Sequence, residues 1–108
     1  MRQRILVAAL GLALVPCAAS ANQAHAKLLK QSEANRAVVL QRLLTASGEK
    51  CAAATRTYHQ GMNGRDAFWN VQCSGGQSYS ILVSQDGSTK ILACSVMKTV
   101  GVDCFKPL

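Results

Sequence analysis

The sequence predicts an α+β fold: one N-terminal amphipathic helix packed on a four-stranded antiparallel β-meander, held by two disulfides. Three observations predict it. A stretch free of Pro and Gly, from about residue 23 to residue 46, repeats its apolar residues at helical spacing. After Cys51 the repeat shortens to two residues, and glycine-containing turns cut the chain into strand-length pieces. Four cysteines, Cys51, Cys73, Cys94 and Cys104, span that second region.

Ahead of the helix lies a short basic head, Met1 to Arg4, then an apolar run from Ile5 to Val15, then Pro16 and small residues through Ala21. These are the three regions of a secretory signal peptide. The apolar run is about 11 residues, short of the roughly 20 that a transmembrane helix needs. Cleavage is expected after Ala21, with a second small-residue site at Ala26, leaving residues 22–108 as a single domain. Cys17 would leave with the peptide. Its neighbour Pro16 occupies the place where a lipidation signal wants a small residue, which disfavours a lipid anchor.

The cysteines that remain are even in number in a chain addressed for export, and such a set reads as disulfides. Zinc is disfavoured, because tetrahedral sites take ligands in close pairs and no two of these cysteines are closer than Cys94 and Cys104. At this size a single core is marginal, so disulfides worth about 2–4 kcal/mol each would weigh heavily in its stability.

The first element runs from about Gln23 to Ala46, with Leu28, Leu29, Val39, Leu40 and Leu43 on one side. Ser32 and Arg36 interrupt that stripe, so the second half is expected to pack best. Gly48 suits the position that ends a helix. Strands follow at Thr55–Tyr58, Ala67–Cys73, Gln77–Ser84 and Thr89–Cys94, with a loop at Gly61–Gly64. A three-residue loop at Ser74-Gly75-Gly76 sets Val71 opposite Tyr79 and Trp69 opposite Ile81, which keeps one face apolar. A two-residue turn at Asp86-Gly87 sets Ile81 opposite Leu92 and Tyr79 opposite Cys94.

The expected core face is therefore Trp69, Val71, Cys73, Tyr79, Ile81, Val83, Leu92 and Cys94. Cys73 and Cys94 would stand on strands separated by a third, too far apart for a bond that needs Cα atoms within about 7 Å. Several pairings are open to four cysteines. The favoured ones are Cys51–Cys73 and Cys94–Cys104. On the opposite face Phe68, Leu82 and Ile91 sit among amides and serines, and they form the candidate binding surface. The tail from Val96 to Leu108 is available to cover them.

Trp69-Asn70-Val71, the glycine turn, Tyr79 to Val83, Asp86-Gly87 and Ile91-Leu92 together resemble the meander of PepSY-type domains, small exported modules with a helix ahead of three antiparallel strands. The resemblance covers roughly residues 67–92 and implies a binding or inhibitory role in the cell envelope without catalysis. Val71 to Gly75 followed by Tyr79-Ser80-Ile81 is also similar to the hairpin of small periplasmic lysozyme inhibitors, which are all-β.

No pattern singles out a catalytic residue. His59 is the one histidine expected in the folded part, at an exposed turn, while His25 falls in an expected frayed N-terminus. Asp66 and Asp103 are available to orient a base, but no Cys-x-x-Cys and no phosphate loop ahead of a helix is present. No cofactor or metal is expected. After cleavage ten basic side chains face five acidic ones, spread along the chain rather than clustered, which argues against a nucleic-acid module. The function expected is a periplasmic or secreted binding or inhibitory protein. Its partner is an unknown protein or envelope component. The alternative is a structural envelope component that binds anionic polymer through its bases.

Overall fold

The computed structural model describes residues 22–108. The expected signal peptide, the expected cleavage site and Cys17 therefore lie at or beyond the edge of the described residues. Helices α1 (Gln23–Lys30) and α2 (Glu33–Ala46) lead into strands β1 (Ala54–Asn63), β2 (Asp66–Cys73), β3 (Ser78–Val83) and β4 (Thr89–Ala93), and a short helix α3 (Cys94–Thr99) precedes the tail. The strands form one antiparallel sheet in sequence order, as the pattern predicts. Both expected disulfides are present, Cys51–Cys73 and Cys94–Cys104, with Cα atoms 5.3 and 5.9 Å apart.

The single helix expected from Gln23 to Ala46 is two helices. Gln31 turns extended, and Ser32 opens α2 by accepting the Asn35 N–H on its side chain at 3.1 Å. The last carbonyls of α1 are met by Arg36, whose Nη1 donates to Leu28 O at 2.9 Å and Gln31 O at 3.1 Å. The break shifts the helical phase. Leu28, Leu40 and Leu44 are buried, whereas Leu29 and Val39, placed on the same stripe by a continuous wheel, are 52% and 41% exposed. At the far end Glu49 N–H reaches Leu44 O and Gly48 N–H reaches Thr45 O, the paired bonds of a glycine-ended helix.

The core face of the sheet carries Ala67, Trp69, Val71, Cys73, Tyr79, Ile81 and Val83, all buried beneath the helices. The β2–β3 register is the expected one, with Val71 opposite Tyr79 and Trp69 opposite Ile81. The β3–β4 register is not: Ile81 pairs with Ile91 and Tyr79 with Ala93. Both hairpins use the same three-residue loop. Cys73 N–H donates to Gln77 O and Ser84 N–H to Ser88 O, each at 2.8 Å, and Gly76 and Gly87 hold φ of 93° and 90° at the third loop position. The extra loop residue slides β4 by one and flips its side chains. Ile91 therefore packs on the core, Leu92 turns out at 46% exposed, and Cys94 begins α3 rather than closing the strand. β1 also extends through the segment expected as a loop, to Asn63.

Candidate binding surface

The second face of the sheet is divided between a covered polar part and an uncovered apolar part. On the covered part, Gln60 occupies a register shift between His59 and Gly61 and is buried. Its Nε2 donates to Asp103 O at 2.8 Å and Lys106 O at 3.1 Å, and its Oε1 accepts from Asn70 Nδ2 at 2.8 Å. Asn70, fully buried, also donates to Cys104 O. The Arg56 guanidinium lies 4.6 Å from the Phe105 ring centre and 5.5 Å from that of Tyr58. The tail, pinned by Cys94–Cys104, thus supplies carbonyl partners for amides that would otherwise be buried unpaired.

Of the segment expected over the candidate residues, Met97 borders them, whereas residues 103–106 dock on the β1–β2 half instead. Phe68 and Leu82 are cross-strand partners and half-buried, as the pattern predicts for a shared face. The register slip turns the Ile91 side chain to the core side opposite Ile81, so Ile91 only borders the groove that they line. Leu92 takes the place on their face instead, across from Ser80. With Met97 of α3 and with Lys90 beside Leu82, these residues line a groove of about 340 Å³.

A second apolar groove, about 240 Å³, opens on the core side of the same end of the sheet, lined by Ala24, Leu28, Val39, Leu40, Leu43 and Val83, with Lys27 also on its wall. It exists because α2 lies over β1 and β2, away from β4. Strand β4 runs between the two grooves.

A histidine cluster stands elsewhere on the core side. His59 is not at an exposed turn and His25 is not frayed. His59 pairs with Trp69 across β1 and β2 and stacks on its ring at 5.0 Å. His25, on α1, accepts the Trp69 Nε1–H on its Nδ1 at 2.9 Å, and the two imidazoles lie 4.5 Å apart. Arg36 covers the same indole at 5.2 Å. Burial holds His25 below the ordinary imidazole value, and the neighbouring His59 lowers it further. Burial likewise lowers His59, against a smaller opposing effect from a hydrogen bond with the Gly61 backbone, and His59 Nε2 is buried without a partner. Both rings are thus favoured neutral, as packing groups around the indole.

Among the described residues no carboxylate is hydrogen-bonded to either histidine. Glu33 accepts from Thr57 N–H at 3.0 Å and Thr57 Oγ1–H at 2.8 Å and meets Arg36 at 3.5 Å. Asp103 accepts from the Phe105 N–H, and Asp66 closes the β1–β2 turn opposite Asn63. Among the described residues no group of three or more His, Cys, Asp or Glu side chains is placed to hold a metal ion.

Sequence reasoning missed His25, Arg36, Gln60 and Asn70. Arg36 carried a signal, since a lone cation within an apolar stripe needs a buried acceptor, and a helix end provides one. Gln60 carried none, because a bulge at that point is not written in alternation. No helix among the described residues is long and apolar enough to cross a membrane. No family model matches the chain, and neither a curated protein nor a solved structure matches it.

Proposed function

We propose that this is a small exported binding or inhibitory protein without catalytic activity, whose target docks at the β4 end of the sheet. The observation that carries the reading is the uncovered groove of Phe68, Leu82, Leu92 and Met97. The same chain spends a disulfide and a set of buried amide bonds on covering the rest of that face. Exposed apolar residues gathered beside a covered face are typical of interaction sites. Two disulfides fit an oxidising compartment outside the cytosol, and the basic head and apolar run at the N-terminus fit export.

The test is capture of envelope proteins on the natively exported protein, compared with a Phe68→Ser/Leu82→Ser double variant. One protein retained at high salt by the native chain and lost by the double variant is the expected result. Capture of anionic wall or lipid material that vanishes at moderate salt would support electrostatic polymer binding instead. A hydrolytic activity that disappears in His59→Ala would overturn the non-catalytic reading.

A further inference from the structure

The two edges of the sheet are treated differently. In β1 the backbone groups of Arg56 and Tyr58 face β2, so those of Thr57 and His59 point outward. That edge is blunted: the Thr57 N–H is taken by the Glu33 carboxylate at 3.0 Å, and register shifts interrupt the strand on both sides. In β4 the bond from Ser84 N–H to Ser88 O fixes the alternation, so Lys90 and Leu92 bond to β3. The N–H and C=O groups of Thr89 and Ile91 and the N–H of Ala93 point away from the sheet, while the Ala93 C=O serves as the N-cap carbonyl of α3.

We propose that β4 is a strand-addition edge, at which an extended segment of a partner protein joins the sheet as a fifth strand. This rests on the binding reading above and names its mode. An added strand points successive side chains to opposite faces. Beside β4 those faces hold the two apolar grooves, one floored by Leu28, Leu40 and Val83 and the other by Phe68 and Leu82. A run of consecutive β-branched residues, such as valine and threonine in alternation, therefore reaches both grooves at once while its backbone satisfies the outward groups.

Charge selects the partner. Lys90 lies on one groove and Lys27 on the other, and the one acid in the adjoining turn, Asp86, is turned back onto Ser88 through the Ser88 N–H and Oγ–H. The domain carries twice as many bases as acids. A segment with acidic residues flanking its apolar ones is attracted, whereas a second copy of this basic chain brings Lys90 and Lys27 against themselves.

The experiment uses the natively exported protein, isotope-labelled for amide exchange. The probe is an acetylated, amidated peptide of alternating valine and threonine flanked by glutamates. Binding is expected to slow exchange at Thr89, Ile91 and Ala93 by about tenfold or more and to leave Thr57 unchanged. Methylating the valine nitrogens or the threonine nitrogens gives two further peptides. Only the one whose methyl groups face β4 should fail. Lys90→Glu is expected to weaken the parent peptide by about tenfold, with recovery for a lysine-flanked peptide. Equal binding of both methylated peptides overturns strand addition, as does the absence of protection at millimolar peptide. Protection of the β4 amides without peptide, together with a dimer mass, assigns the edge to a second copy and overturns the proposal. A captured envelope protein that stays bound while the peptide saturates β4 removes this mode and leaves the binding function standing.

Discussion

Trp69 is the single tryptophan of the chain, and its neighbours make it sensitive to acid. Its indole N–H donates to His25 Nδ1, which can accept only while that nitrogen is unprotonated. His59 stacks on the ring, and the Arg36 guanidinium lies over it. Glu33 approaches Arg36 but is committed to Thr57, and its carboxyl stays below the usual range. Desolvation, the largest influence, would raise it, but the Thr57 and Arg36 contacts together outweigh that. Protonating both histidines sets two cations 4.5 Å apart beside a third. Both folded-state values lie below the ordinary 6.5, so in mild acid the unfolded chain binds more protons than the folded one. Their contribution to stability is therefore complete above 6.5 and is lost as the pH falls through the lowered folded values. Thermal melts followed by Trp69 fluorescence should show the midpoint falling from about pH 7 to about pH 5. A His25→Gln/His59→Gln variant should show a flatter dependence. A wild-type midpoint unchanged over that interval would refute the packing of both rings as neutral groups.

At the scale of elements, the junction of α1 and α2 depends on one side chain. Arg36 supplies the donor for two carbonyls at the end of α1, and its stem is half-buried between the helices and Trp69. Arg36→Met keeps much of the apolar bulk and removes the donor. Charged hydrogen bonds are worth about 1.5–3 kcal/mol each, and water will replace part of the loss, so urea unfolding should show a cost of about 1–3 kcal/mol. Amide exchange in α1 should accelerate more than in β2 and β3. Arg42→Met, on the exposed side of α2, should stay within about 0.5 kcal/mol. An equal effect of the two variants would remove the capping role. The same junction shows what the sequence could tell. Ser32 and Arg36 were visible as interruptions of a stripe, but an interrupted stripe reads as weak packing unless the acceptors of the interrupting groups are known. The strands are legible because alternation fixes faces, which separates Cys73 from Cys94 but does not choose between the pairings that remain; Cys51–Cys73 is only the favoured one. The β3–β4 register was missed by a single loop residue. A two-residue turn makes Gly87 its second position, whereas Gly87 fills the third position that Gly76 fills in the neighbouring hairpin. That slip turns the Ile91 side chain toward the core, leaving it at the border of the groove, and brings Leu92 onto the candidate surface. Phe68 and Leu82 stayed because they depend on the β2–β3 register alone.

Across the whole molecule, three ties hold the ends and the junction of the two layers. Cys51–Cys73 fastens the exit of α2 to the end of β2, and Cys94–Cys104 fastens the tail over β1 and β2. The N-terminal tie is not covalent. Asn22 accepts the His25 N–H on its side-chain oxygen at 3.0 Å, and its Nδ2 donates to Arg65 O at 2.8 Å and Val83 O at 2.9 Å. It thereby caps α1 and links it to the turn before β2 and the end of β3. This bears on the choice between the two small-residue sites. Cutting after Ala26 would remove Asn22, His25 and the first half of α1 together, leaving Trp69 without its acceptor and two backbone carbonyls without their donor. Cutting after Ala21 keeps all of these and places Asn22 first. The intact mass of the natively exported protein is therefore expected to begin at Asn22, with no free thiol before reduction and four after it. Asn22→Ala should cost about 1–2 kcal/mol in that processed chain, since a cap and a buried donor pair are lost together. A mass beginning at Lys27 in a stably folded protein would mean that the N-terminal tie and the first half of α1 contribute nothing, leaving Leu28 and Arg36 to hold what remains of that segment.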